Sequence, residues 1–64
     1  MADWQERVIE ERRLLEEKIE KLDIFLHSAE VSAVSKDEFE RMTRQLEVMR
    51  EYSAILSARI AWFR

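Results

Sequence analysis

The sequence has no cysteine, no glycine and no proline, and it has a single histidine, His27. Without cysteine there can be no disulfide, and a lone histidine with no thiol leaves no typical ligand set for zinc. Without glycine and proline the usual turn residues are missing, while the abundant Glu, Arg, Leu, Ala, Lys and Met favour helix. We therefore predict an all-α protein that has no metal, no disulfide and no bound cofactor.

The chain is short as well. Its 64 residues form a single domain, and a chain of this size buries only about 60% of the surface that its unfolded form exposes. Small domains usually depend on a disulfide, a metal or self-association for stability, so self-association is expected here. No apolar run is long enough to span a membrane, and Asp3 and Glu6 lie where a signal peptide would be basic. We expect a cytoplasmic protein with no membrane contact.

Charge and motif content exclude two broad classes of function. A net charge of -3 argues against a DNA- or RNA-binding protein, because such proteins usually carry a basic face for the phosphate backbone. The sequence also has no nucleophile beside a base, no glycine-rich phosphate loop and no set of metal ligands. We therefore expect a protein that is not an enzyme and has no catalytic residues.

Helix 1 is predicted over residues 3–28. Asp3 followed by Glu6 is typical of an N-cap with a capping-box carboxylate. Apolar residues then recur in steps of three, four and seven, which places them on one face of a helix. These residues are Val8, Leu15, Ile19, Leu22 and Leu26.

Helix 2 is predicted over residues 36–63. Ser35 precedes Glu38 by three residues, which is a second capping-box pattern. The segment 29–35 is rich in serine, whose side chains compete with helical backbone bonds, and it is predicted to be the connection. The apolar face of helix 2 follows an alternation of three and four. It contains Phe39, Met42, Leu46, Met49, Ser53, Leu56, Ile60 and Phe63.

A short connection between two helices of similar length predicts an antiparallel hairpin. Opposed residues should then have numbers that add to about 64. The expected pairs include Trp4 with Ile60, Val8 with Leu56, Leu15 with Met49, Ile19 with Leu46 and Leu22 with Met42. Glu11 and Arg12 should meet Tyr52 and Ser53. This polar layer would either fix the register or line a pocket between subunits.

Both helices have apolar residues that one hairpin does not cover. Such patches usually mark interfaces, although isolated surface hydrophobic residues are also normal. We predict that the hairpins assemble into a homo-oligomeric helical bundle, most simply a dimer of four helices, with higher symmetric assemblies also open. The uncovered residues are Ile9, Leu14 and Phe25 of helix 1 and Val48, Tyr52, Ile55 and Trp62 of helix 2.

Aromatic residues and arginines gather at the end where the N-terminus of helix 1 meets the C-terminal half of helix 2. Rings stack on bases, and guanidinium groups form forked hydrogen bonds with phosphate. The alternative is that the rings belong to the core and the interface while the arginines form surface ion pairs. The aromatic residues are Trp4, Tyr52, Trp62 and Phe63, and the arginines are Arg7, Arg12, Arg13, Arg59 and Arg64.

Three segments carry a family resemblance that covers nearly the whole chain. They are D-W-Q-E-R-V-I-E-E (Asp3 to Glu11), K-I-E-K-L-D-I-F-L (Lys18 to Leu26) and Q-L-E-V-M-R-E-Y-S-A-I-L-S-A-R-I (Gln45 to Ile60). With these segments the sequence resembles a group of short bacteriophage proteins. It also resembles the helical hairpin domain of phage sponge proteins of the anti-CBASS and anti-Thoeris type, which sequester the nucleotide second messengers of bacterial immunity.

The resemblance implies a mechanism without catalysis. A cyclic oligonucleotide or a cyclic ADP-ribose derivative would be held between assembled hairpins in the cytoplasm of the infected bacterium, and would not be cleaved. The alternative is a structural or protein-interaction module that docks a host or phage protein. The candidate ligand-binding residues are Trp4, Arg7, Glu11, Arg12, Tyr52 and Arg59.

Overall fold

The computed structural model describes residues 1–63, which form two helices packed side by side as a hairpin. Helix α1 spans Asp3–Leu26 and helix α2 spans Lys36–Trp62; a 3-10 turn, Ala29–Ala33, lies between them. The hairpin measures 45 × 15 × 14 Å. The prediction of an all-α hairpin is confirmed. No helix within residues 1–63 has an apolar stretch long enough to cross a bilayer.

The start of α1 differs from the prediction. Asp3 is already the first helical residue and Ala2 is the N-cap, so the predicted Asp3 cap is wrong. The backbone N–H of Ala2 donates to the side-chain oxygen of Gln5 at 3.0 Å, which is the capping-box contact one residue earlier than expected. Alanine has no side-chain oxygen, and for that reason the sequence pattern did not mark it as a cap.

Serine side chains form hydrogen bonds at both ends of the connection between the helices, as the sequence indicated. α1 ends at Leu26 rather than at residue 28, and the Ser28 hydroxyl donates to the carbonyl of Phe25 at 2.7 Å. That bond occupies a carbonyl of the last turn and closes the helix. At the start of α2 the N–H of Glu38 donates to Ser35 Oγ at 3.2 Å. Ser35 is therefore confirmed as the N-cap.

The core is the seam between the helices, and most of it comes from the apolar stripes that the spacing indicated. Phe39, which was predicted to lie in the helix 2 stripe, is instead 39% exposed and lies outside the core cluster. Leu56 is fully buried, at 0% exposure. The exposed sides of both helices carry the charged residues, as expected for amphipathic helices. The buried cluster is Val8, Leu15, Ile19, Leu46 and Leu56, with Leu22, Leu26, Met49, Ile60 and Phe63 packed against it.

The polar layer in the seam has a different partner from the predicted one. The hydroxyl of Ser53, which is buried, donates to a carboxylate oxygen of Glu16 at 2.9 Å, and not to Glu11 or Arg12. Helical side chains tilt towards the N-terminus of their own helix. In an antiparallel pair, the numbers of two contacting residues therefore add to more than the backbone register suggests. Trp4 shows the same shift, because its ring contacts Phe63 beyond the expected Ile60.

Candidate functional site

Two polar contacts between the helices lie on the same side of the hairpin and serve to identify that side. Arg50 Nη2 lies 3.5 Å from Asp23 Oδ1, and Ser53 Oγ contacts Glu16 at 2.9 Å, so Glu16 and Asp23 lie on the Arg50 side. Two residues along a helix correspond to a rotation of about 200°, which places Tyr52 on the opposite side from Arg50. We call that opposite side the Tyr52 face. Its exposed residues include Arg7, Glu11 and Leu14 of α1 and Val48, Tyr52, Ile55, Arg59 and Trp62 of α2.

The candidate ligand-binding residues divide between these two sides. Arg7, Glu11, Tyr52 and Arg59 belong to the Tyr52 face by their helical positions. Arg12 is half-buried and lies on the other side, with Glu16. The sequence analysis grouped these residues because they lie at similar positions along the length of the hairpin. Their angular positions around the helices differ, and this difference separates Arg12 from the residues of the Tyr52 face.

The open end of the hairpin carries a groove of about 400 Å³, which we call the aromatic groove. The rings of Trp4 and Phe63 meet edge to face, with centroids 5.1 Å apart and an interplanar angle of 83°. This geometry is favourable for two aromatic rings, and it leaves Trp4 53% exposed. Trp62 is 86% exposed. The groove is lined by Trp4, Gln5, Arg59, Trp62 and Phe63.

Among the candidates, the structure brings Trp4 and Arg59 together in the aromatic groove. Gln5 is the lining residue that sequence reasoning did not single out. Its amide offers both donors and an acceptor, which suits the edge of a nucleobase. The sequence feature that could have indicated Gln5 is its position directly after Trp4 at the start of α1.

The arginines fall into two groups. Four of them pair with carboxylates on the hairpin: Arg13 with Glu10 and Glu17, Arg41 with Glu38, Arg44 with Glu47 and Arg50 with Asp23. Within residues 1–63, Arg7, Arg12 and Arg59 form no salt bridge. Arg64 lies outside the described residues. No carboxylate of residues 1–63 pairs with Arg7 or Arg59, whose guanidinium groups can therefore bind an anion on the Tyr52 face.

A second groove, of about 450 Å³, runs along α1 away from the aromatic end. Its arginine, Arg13, is already engaged: its Nε donates to Glu10 at 3.0 Å. That hydrogen bond and the guanidinium charge hold the pKa of Glu10 below its ordinary value. Three carboxylates repel a phosphate, so the aromatic groove suits an anionic ligand better. The second groove is lined by Ile9, Arg12, Arg13, Glu16, Glu17 and Glu20.

The described part of the chain has no cluster of metal-ligand side chains. Residues 1–63 contain no group of three or more His, Asp or Glu side chains placed to hold a metal ion. The chemistry that the aromatic groove offers is stacking, forked hydrogen bonding and amide recognition.

Comparison with known proteins gives one match. No curated protein and no solved structure matches the chain. A family model described as Sequestin matches residues 2–62, which include both helices and the aromatic groove except Phe63. Because this match covers almost the entire sequence, the chain belongs to the Sequestin family.

Proposed function

We propose that the protein is a phage-encoded sponge for a nucleotide signal of bacterial immunity. It binds a cyclic oligonucleotide or a cyclic ADP-ribose derivative in the cytoplasm of the infected cell and releases no product. Membership of the Sequestin family carries this proposal, because the family name implies that a small-molecule ligand is sequestered. The aromatic groove, which has Arg59 in its lining, supplies a binding site of suitable chemistry.

The aromatic groove meets the two needs of a nucleotide ligand. Trp4 and Trp62 are exposed, so a base can stack on either indole ring, and Gln5 can bond to the base edge. Arg59 lines the same groove, and its planar guanidinium suits a phosphate better than a lysine would. Arg7 extends the cationic surface along the Tyr52 face.

Sequestration needs affinity and abundance rather than turnover. A protein that binds a signal at concentrations well above its dissociation constant lowers the free signal by mass action. The proposed role therefore places no residue in a catalytic position. The bound nucleotide should leave the protein chemically unchanged.

The direct experiment is a thermal melt of the purified protein with a panel of cyclic dinucleotides, cyclic trinucleotides and cyclic ADP-ribose isomers. A bound ligand should raise the melting temperature, and mass spectrometry after denaturation should recover it intact. If no compound of the panel shifts the melt, the sponge proposal is wrong. A nucleotide of altered mass would instead show that the protein is an enzyme.

Variants can locate the site. Arg59→Ala should weaken binding while far-UV circular dichroism stays unchanged, because the Arg59 side chain is exposed and lines the aromatic groove. Loss of a charged hydrogen bond corresponds to about a 10- to 100-fold weaker affinity for Arg59→Ala. Arg44→Ala is the matched control, since Arg44 is an exposed arginine of the same helix that pairs with Glu47 at 3.2 Å. Equal effects of Arg44→Ala and Arg59→Ala would exclude this site.

A second candidate function is a module that docks a helix of a host or phage protein. The observation that favours it is the exposed apolar surface of the Tyr52 face, where Ile55 is 59% exposed. This function predicts no melting shift with any nucleotide. It also predicts that Ile55→Lys abolishes capture of the partner while Arg59→Ala has a smaller effect.

A further inference from the structure

The hairpin exposes more surface than a compact protein of its mass. Its accessible surface is 5098 Å², whereas a folded monomer of 7.8 kDa exposes about 4,400 Å². Its Cα radius of gyration is 14.6 Å, against about 11 Å for a compact domain of this length. The excess of about 700 Å² is close to the roughly 800 Å² that each partner contributes to a standard interface.

The Tyr52 face carries a patch of exposed apolar side chains. Half of the ten large hydrophobic residues that are exposed lie on the Tyr52 face. Two of them, Ile55 and Trp62, are 59% and 86% exposed, which leaves most of their apolar surface in water. Covering such a patch is favourable by about 25 cal/mol for each Å² of apolar surface. The five residues are Leu14, Val48, Tyr52, Ile55 and Trp62.

The spacing of this patch is symmetric along α2. Val48 lies seven residues before Ile55 and Trp62 lies seven residues after it, so the three share one stripe of the helix. A second α2 packed antiparallel, with Ile55 of both copies on the twofold axis, places Val48 against Trp62 of the second copy. The same contact occurs twice, because a twofold interface is self-complementary.

The charges beside the stripe are complementary in the same register. Glu51 lies four residues before Ile55 and Arg59 lies four residues after it. Both are exposed, and neither forms a salt bridge within residues 1–63. Antiparallel packing about Ile55 therefore sets Glu51 opposite Arg59 of the second copy, at both ends of the interface. Tyr52, adjacent to Glu51, offers its ring to the same guanidinium.

We propose that a second copy of this chain covers the Tyr52 face through antiparallel packing of the two α2 helices about Ile55. The occupant is a second copy because the stripe and its charges are self-complementary in one register. The interface does not depend on any ligand, so it can be right whether or not the protein is a sponge. Arg59 has five N–H donors, and a pair with Glu51 of the second copy leaves donors for an anion in the aromatic groove. With Trp62 packed against Val48 of the second copy, the ring that remains for stacking is Trp4, which is 53% exposed.

The test is the mass of the protein in sedimentation equilibrium over a wide range of concentrations. The wild type should sediment at twice the chain mass of 7.8 kDa, and Ile55→Lys should halve that mass because it sets two like charges on the axis. Ile24→Lys is the matched control: Ile24 is 61% exposed, lies on the outer side of α1, and should leave the mass unchanged. Circular dichroism checks that both variants stay helical.

A charge exchange tests the register even where Ile55→Lys impairs folding. Glu51→Arg and Arg59→Glu should each weaken the dimer, and the double variant should restore it, because the opposed charges are then exchanged. A wild-type mass of one chain at all concentrations overturns the interface. So does any assembly that Ile55→Lys leaves intact, or a double variant weaker than both single variants. A nucleotide-induced melting shift in a monomeric protein would support the sponge and reject this interface.

Discussion

Replacing Leu56 with alanine should remove a large part of the stability of the hairpin. Leu56 is at 0% exposure in the same buried cluster as Val8 and Leu46. Leucine-to-alanine changes in a core cost about 2–5 kcal/mol, through lost transfer energy and the cavity that remains. A seam between two helices is thin and can partly close around the gap, so we expect about 3 kcal/mol, near the lower part of that range.

That loss is large for a chain of this length. Stability of about 0.05–0.15 kcal/mol per residue gives about 3–10 kcal/mol for the whole protein. Urea unfolding followed by helical circular dichroism measures the change, at one fixed protein concentration because self-association would add to the apparent stability. With a slope of about 1 kcal/mol per molar urea, the midpoint should fall by about 3 M.

The control for Leu56→Ala is Ile24→Ala. Ile24 is 61% exposed, and a surface truncation of this kind usually changes the unfolding free energy by less than about 0.5 kcal/mol. If the two variants unfold at the same urea concentration, the seam does not stabilise the fold as described. A Leu56→Ala protein that is less stable only in dilute solution would show instead that assembly, and not the hairpin core, depends on this residue.

Further predictions concern the cap, the polar layer and acid. Ser35→Ala removes the acceptor at the start of α2 and should cost about 1 kcal/mol in urea melts. Ser53→Ala should cost less than about 1 kcal/mol, because the Glu16 carboxylate is exposed and regains water. The hydrogen bond from Arg13 lowers the pKa of Glu10 from 4.5, so the stabilisation of the fold by ionised Glu10 is present above pH 4.5 and is lost as the pH falls through the lower pKa of the folded state. Because both side chains are exposed, Glu10→Gln should flatten the acid limb of a plot of melting temperature against pH only slightly, and most at low ionic strength. A large change of that limb would contradict this.

Several features of the candidate site depend on the angular position of each side chain around its helix, which the sequence analysis did not resolve. The sequence pattern placed Arg7 at the open end and Arg12 in the polar layer of the seam, and it grouped both as candidate ligand-binding residues. Only the contacts of Glu16 and Asp23 with α2 show that Arg12 lies on the other side from Tyr52. Likewise, the ion pair of Arg13 and the absence of one at Arg59, within residues 1–63, follow from side-chain geometry that a residue pattern does not contain.

The sequence by itself determined the two helices, their seam and the Ser35 cap. These features are local: helix propensity, apolar spacing and a side-chain oxygen before the first turn act within a few residues of the chain. The tertiary structure decided the contacts between helices, including Ser53 with Glu16 and Trp4 with Phe63. It also placed Gln5 in the aromatic groove. The physical reason is that side chains tilt towards the N-terminus of their helix, so cross-helix partners depend on how two tilted surfaces meet.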